Sequence, residues 1–179
     1  MSPFLMNLAA CFIVIIINQG LKKYGGDLAI GAFGIVNRLV FIVVMIVMGL
    51  NQGMQPIAGY NFGAKLYGRV NKVLRLTIIY ATAVTTFGFL VGMLVPDLVV
   101  GIFTSDAELT ELSVTGLRIT VMFFPIIGFQ MVTSNFFQSI GMAGKAIFLS
   151  LTRQMLILLP CLLVLPQFFG VAGVWYSMP

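Results

Sequence analysis

The chain has 179 residues, 60% hydrophobic and only 8% charged, with a mean hydropathy of +1.08, where a soluble domain carries about 25% charged residues. That composition excludes a water-soluble fold and makes the chain an integral membrane protein. Ten Lys and Arg against five Asp and Glu leave a net charge of +5, but half of the cations fall between Lys65 and Lys145 in short connections, so the excess reports orientation in a bilayer and no nucleic acid as partner.

The chemistry available is narrow. There is no histidine, and the two cysteines, Cys11 and Cys161, sit far apart inside apolar runs, so neither a zinc site nor a disulfide framework is expected. Met1-Ser2-Pro3 offers no basic region ahead of the first apolar run and no small-residue cleavage site follows it, so the first helix is expected to stay.

A spanning helix needs roughly 20 apolar residues. The first expected span covers residues 4–18 and ends in a loop from Gln19 to Asp27. Asn7, Cys11 and Asn18 share one face of it, which should look at protein or water.

The second span is expected over 28–61, about 50 Å at 1.5 Å per residue, longer than the roughly 30 Å hydrocarbon core. It must tilt, bend or project into water. Its end, Gly49 to Arg75, is the stretch around which the chain is organised: it gathers amides at Asn51, Gln52 and Gln55, is punctuated by Pro56 and Gly59, and lands in Lys65, Arg69, Lys72 and Arg75. A membrane helix reaches the cytoplasmic face in this way. Arg38 lies far toward the opposite surface, where it can snorkel and meet Asp27, or join a polar stripe with Gln52, about 40° away on a helical wheel.

The third span is expected over 76–95, closed by Pro96-Asp97, with Thr82, Thr85 and Thr86 bonding back to the preceding turn. Asp97, Asp106, Glu108 and Glu111 then follow within fifteen residues that hold no Lys or Arg, and read as solvated loop groups rather than a metal or acid–base cluster. Ser105 and Glu108 have capping-box spacing, which starts a helix near Asp106. The fourth span is expected over 119–140 with Pro125 and Gly128 near its middle. Gln130, Thr133, Ser134, Asn135 and Gln138 are five amide or hydroxyl side chains in nine residues. They are costly toward lipid, so this face should line a cavity or a helix contact.

A turn from Gly141 to Lys145 leads to a fifth span over 146–165, with Arg153 inside and Pro160 late. Pro166 to Gly173 reads as a turn, and Trp175-Tyr176 as the aromatic start of a sixth span near 174. The expected fold is all-α, a polytopic helical bundle in one domain over 1–179. Alternation from a cytoplasmic N-terminus puts the loop 62–75 and Lys145 inside and the acidic loop outside, in keeping with the positive-inside rule. Lys22-Lys23 are the exception, partly offset by Asp27. A start directly at a helix and an abrupt stop point to part of a longer polypeptide.

Gln52, Pro56, Gly59, Asn61, Gly63 and Ala64, in the run NQGMQPIAGYNFGAK, resemble the helix-end motif of the multidrug and toxic compound extrusion (MATE) family, in its second-half copy. The opening SPFLMNLAA, the run FFQSIGMAGKA from Phe136 to Ala146 and the closing GVAGVWYSMP resemble the family in the same order and spacing, so the likeness covers nearly the whole chain. The resemblance implies one six-helix lobe of a two-lobe transporter, helices seven to eleven and the start of twelve, in the bacterial inner membrane. It implies a multidrug antiporter exporting amphipathic organic cations in exchange for Na+ or H+, with the N-terminal six-helix lobe, or a second chain, as the missing partner.

Some branches of that family carry coupling acids in helices seven and ten. Here the first span has no acid and the fourth has none after Leu112, and amides do not titrate at physiological pH, so by resemblance the coupling site belongs to the missing part. No cofactor and no metal site is expected in this part. Cavity-lining candidates are Asn7, Gln52, Gln130, Ser134 and Asn135, with Phe, Met and Tyr residues supplying apolar wall. An exporter of lipid-linked saccharides is the alternative within transport, although it would favour more intramembrane cations than Arg38, Arg118 and Arg153. An inactive half-transporter is the third reading. A membrane enzyme would need paired carboxylates or a nucleophile arrangement, which the one outside acidic loop does not supply.

Overall fold

The computed structural model describes residues 2–142, 144, 148, 152 and 158–177. Helix α1 (Ser2–Gly63) is two arms meeting at Gly26, whose φ of 65° and ψ of −160° lie outside any helical region and in a region open essentially to glycine. After it come α2 (Tyr67–Leu94), α3 (Pro96–Gly101), α4 (Ala107–Val121), α5 (Phe124–Ser139), α6 (Leu159–Phe169) and α7 (Val171–Ser177). The longer arm of α1, Gly25–Gly63, and α2 are long and apolar enough to cross a membrane, and α4 with α5, bent by 54°, forms a further span or re-entrant pair.

Several boundaries differ from expectation, each for a local reason. The expected loop at 19–27 is helical up to the Gly26 kink, because Ile13, Ile17 and Leu21 form a buried stripe at helical spacing that keeps the arm packed. The two arms meet there in one cluster of Ile13, Ile17, Leu21 and Ala29 with Leu162 and Val174. The expected basic loop 62–75 shrinks to residues 64–66. Leu66 N–H donates to the Asn61 carbonyl at 2.9 Å and Lys65 N–H to that of Phe62 at 3.0 Å, the paired bonds of a Schellman cap, with Lys65 in the left-handed position at φ 59° usually given to glycine. Helix α2 therefore starts at Tyr67, and Arg69, Lys72 and Arg75 ride on its first turns. Gly141 closes α5 in the same manner, with φ 79° and Met142 N–H donating to the Phe137 carbonyl at 2.9 Å.

The single fourth span expected over 119–140 is instead the bent α4–α5 pair. Pro125 has no N–H to give the Val121 carbonyl and its ring crowds that group, so α4 stops at Val121 and α5 begins at Phe124 with the proline in its first turn. Asp106, not Ser105, caps α4: its carboxylate accepts from the N–H groups of Glu108 at 2.9 Å and Leu109 at 3.2 Å. Pro166 sits inside α6 rather than in a turn, and the break falls at Gly170. Most of the expected fifth span 146–165, with Lys145 and Arg153, lies outside the described residues.

Two further clusters hold the bundle. Ala32, Ile35 and Val36 of α1 meet Val100, Leu117, Val121, Phe124 and Trp175, while Val47, Met54 and Ala58 of α1 meet Ala81 of α2 and Val132 of α5. The outside is apolar, with Phe87 69%, Leu94 75% and Ile126 63% exposed, as lipid contact requires. Thr85 hydroxyl donates back to the Ala81 carbonyl at 3.0 Å. Gly128 packs against it so closely that a Cβ would stand 2.5 Å from Thr85 Oγ1.

Candidate functional site

Helices α1 and α5 lie side by side and run in the same direction in a sustained register. Gly88 of α2 touches both Val43 and Phe124. Further along, Gln55 bonds to Asn135, and Gly59 then sits against the Ser139 carbonyl, where a Cβ would stand at 3.0 Å. Gln55 and Asn135 are 80 residues apart, and so are Gly59 and Ser139. Apolar packing fills most of this seam; at its middle it turns polar.

There the Gln55 amide Nε2 donates to Asn135 Oδ1 at 3.2 Å, and Asn135 Nδ2 donates to the Met131 carbonyl at 2.9 Å. Asn51, one turn before Gln55 on the same face, is 2% exposed, and neither its Nδ2 nor its Oδ1 has a partner among the described residues. Ser134 is buried beside Asn135. Asn61 ends the row, with Nδ2 donating to the Ile57 carbonyl at 2.8 Å and its backbone carbonyl inside the cap of α1.

The expected lining residues divide. Asn135 and Ser134 lie in the seam, and Gln130 is half-buried a turn before them. Gln52 is exposed, about 100° around α1 from Asn51, and has no bond to them among the described residues. Asn7 lies on the first arm, and its side chain is outside what is described. Gln55 and Asn51 take the place expected of Gln52; the signal was their coincidence with the buried positions Val47, Met54 and Ala58 at helical spacing. Among the motif positions, Pro56, Gly63 and Ala64 are exposed and form the helix end, while Gly59 and Asn61 face the bundle. Arg38 is exposed and makes no ion pair with Asp27 among the described residues; eleven residues of helix, about 16 Å, separate the two.

Two cavities lie away from the amides, one at the apolar start of the seam and one at the acidic end. One of about 420 Å³ has only apolar side chains in its wall, including Leu39, Val43, Phe87, Val121 and Phe124. Another, of about 460 Å³ at the acidic end, is lined by Glu108, Glu111, Thr115 and Trp175; two of the four carboxylates expected to be loop groups thus sit on α4 beside Trp175. Among the described residues no three His, Cys, Asp or Glu side chains gather as a metal site, and Cys11 and Cys161 are free thiols.

A family model described as MatE matches residues 3–163. The multidrug export protein MepA of Staphylococcus aureus is 29% identical over 175 residues, 98% of this chain and 38% of the relative. Of solved structures, the MATE multidrug transporter DinF-BH superposes with a TM-score of 0.86 at 38% identity, over 99% of this chain and 40% of that one. The Vibrio cholerae MATE transporter VcmN in its bent form superposes at 0.89 with 20% identity, again over 99% and 40%, which speaks for the fold. The chain spans about two fifths of the length of these relatives.

Proposed function

The chain belongs to the MatE family, and from that premise we propose that it forms the second helical lobe of a secondary multidrug exporter. The lobe supplies one wall of a cleft in which amphipathic organic cations are bound and released by alternating access. The observation that carries this reading is the α1–α5 seam: an uncharged amide row, Asn51, Gln55 and Asn135, held in apolar helix packing on a fold shared with multidrug transporters. Gln52, Gln130, Ser134 and Asn7 remain the proposed lining around it.

The coupling ion, Na+ or H+, is proposed to bind outside this lobe. Every Asp and Glu lies at Asp27 or between Asp97 and Glu111, at the α1 kink, in α3 or around the start of α4 rather than in the seam, and the amides of the seam neither gain nor lose a proton at physiological pH. The acidic cavity at Glu108 and Glu111 gives the outer end a negative rim that would favour cations. We place the basic turn at Lys65 in the cytoplasm of a bacterial inner membrane, following the positive-inside rule.

The test is to express the complete reading frame carrying this chain in efflux-deficient cells and follow ethidium accumulation under imposed sodium or proton gradients. Gradient-dependent loss of ethidium is the expected outcome. Unchanged accumulation under both gradients would overturn the exporter reading.

A further inference from the structure

The four cations of the α1–α2 turn were read above as an orientation signal, but their placement does more. Arg69 and Lys72 lie on one face of α2 with Leu76, Ile79, Ala83, Phe87 and Leu90, each three or four residues from the last, and all are exposed. Lys65 and Arg75 flank the start of that face. The opposite face carries the buried Val70, Thr77, Ala81, Thr85 and Gly92 that pack on α1 and α5, so the cationic face has no neighbour within the described residues. No Asp or Glu occurs between Leu28 and Pro96, and none of the four cations takes part in an ion pair among the described residues.

Directly beyond Arg75 the face turns into a shallow, open groove of about 520 Å³ along α2 itself, bordered by Ile78, Ile79, Thr82, Ala83, Phe87 and Leu90 among others. From Leu76 to Leu90 the groove side of α2 runs about 21 Å at 1.5 Å per residue, enough to accompany a chain through one leaflet of about 15 Å, half the hydrocarbon core.

We propose that this face is a binding site for an anionic glycerophospholipid, whose phosphate is held by Arg69, Lys72 and Arg75 and one of whose acyl chains lies in the Ile79–Phe87 groove. Charge complementarity selects the headgroup. Cations at a membrane surface attract anionic lipid, and guanidinium groups bind phosphate in a forked geometry that an ammonium cannot offer. The groove selects a lipid over a soluble anion, which would gain nothing from apolar walls. The inference does not depend on what the protein exports.

The protein from its complete reading frame, purified in detergent, is titrated with phosphatidylglycerol and with phosphatidylcholine of the same chains, and bound lipid is counted by native mass spectrometry. Phosphatidylglycerol should bind more tightly. The Arg69→Gln, Lys72→Gln, Arg75→Gln triple variant should lose about hundredfold in that affinity, each cation contributing about fivefold, with phosphatidylcholine binding unchanged. Should the triple variant fail to insert, Lys72→Gln alone should lose about fivefold. Ala83→Phe should weaken both lipids by filling the groove. Equal binding of the two lipids, full affinity in the charge variants, or glycerol 3-phosphate binding as well as the intact lipid would each overturn the proposal.

Discussion

Gln55 and Asn135 hold each other across the seam, so truncating either leaves a half-buried amide facing apolar packing. A double-mutant cycle of Gln55→Ala and Asn135→Ala, read by thermal melting in detergent, should give a coupling of about 0.5–1.5 kcal/mol. Asn51 behaves oppositely. Its amide is desolvated with no hydrogen bond among the described residues, which costs about 1–3 kcal/mol, so Asn51→Leu, of similar size, should raise the melting temperature; a clear fall would mean the amide has a partner in the membrane. The sequence allowed Ser134 and Asn135 to be singled out because five polar side chains in one apolar stretch cannot all face lipid. Choosing Gln55 over Gln52 needed more: positions three apart on a helix differ by about 60°, and which side of α1 meets α5 is decided by packing partners 80 residues away.

At the level of helices, caps and breaks dominate. Lys65 holds a left-handed conformation at φ 59° that costs a side-chain-bearing residue about 1 kcal/mol. Lys65→Gly should therefore stabilise the α1–α2 turn by about that amount, seen as a rise in melting temperature with the rest of the basic cluster intact. Gly26→Ala should do the reverse by about 1–3 kcal/mol, since φ 65° with ψ −160° admits no Cβ without strain. The long apolar runs made the helices legible, because hydrophobic length alone decides whether a segment can span. Their ends were less so. The expected loops at 19–27 and 62–75 were read from glycines, lysines and amides, but Leu21 and Val70 are buried and draw the helix onward. The bend at Pro125 was foreseen as a freed carbonyl, not as a break, because only the packing shows that α4 meets α1 near Ala32 and Val36 while α5 meets it near Val47 and Ala58.

For the whole molecule, orientation is the property most open to a direct test. With Cys11 and Cys161 replaced, Ser105→Cys in the acidic connection should react with a membrane-impermeant maleimide added outside intact cells, while Gly68→Cys, beside the basic cluster, should react after permeabilisation alone. The reverse pattern would invert the topology. Fold class and family resemblance were legible because hydropathy and a few glycine- and proline-bearing helix ends recur in fixed order.

The 54° bend between α4 and α5 turns α5 into a lever. Its fulcrum is the Met122-Phe123 break, and its arm of 16 residues is about 24 Å long. A swing of about 10° at the fulcrum would carry Asn135 about 3 Å and Ser139 about 4 Å by that geometry, as far as the whole Gln55–Asn135 separation of 3.2 Å. One amide–amide hydrogen bond thus sits far enough out along the arm that a small change in angle would undo it, while the apolar contacts near Phe124 would barely move.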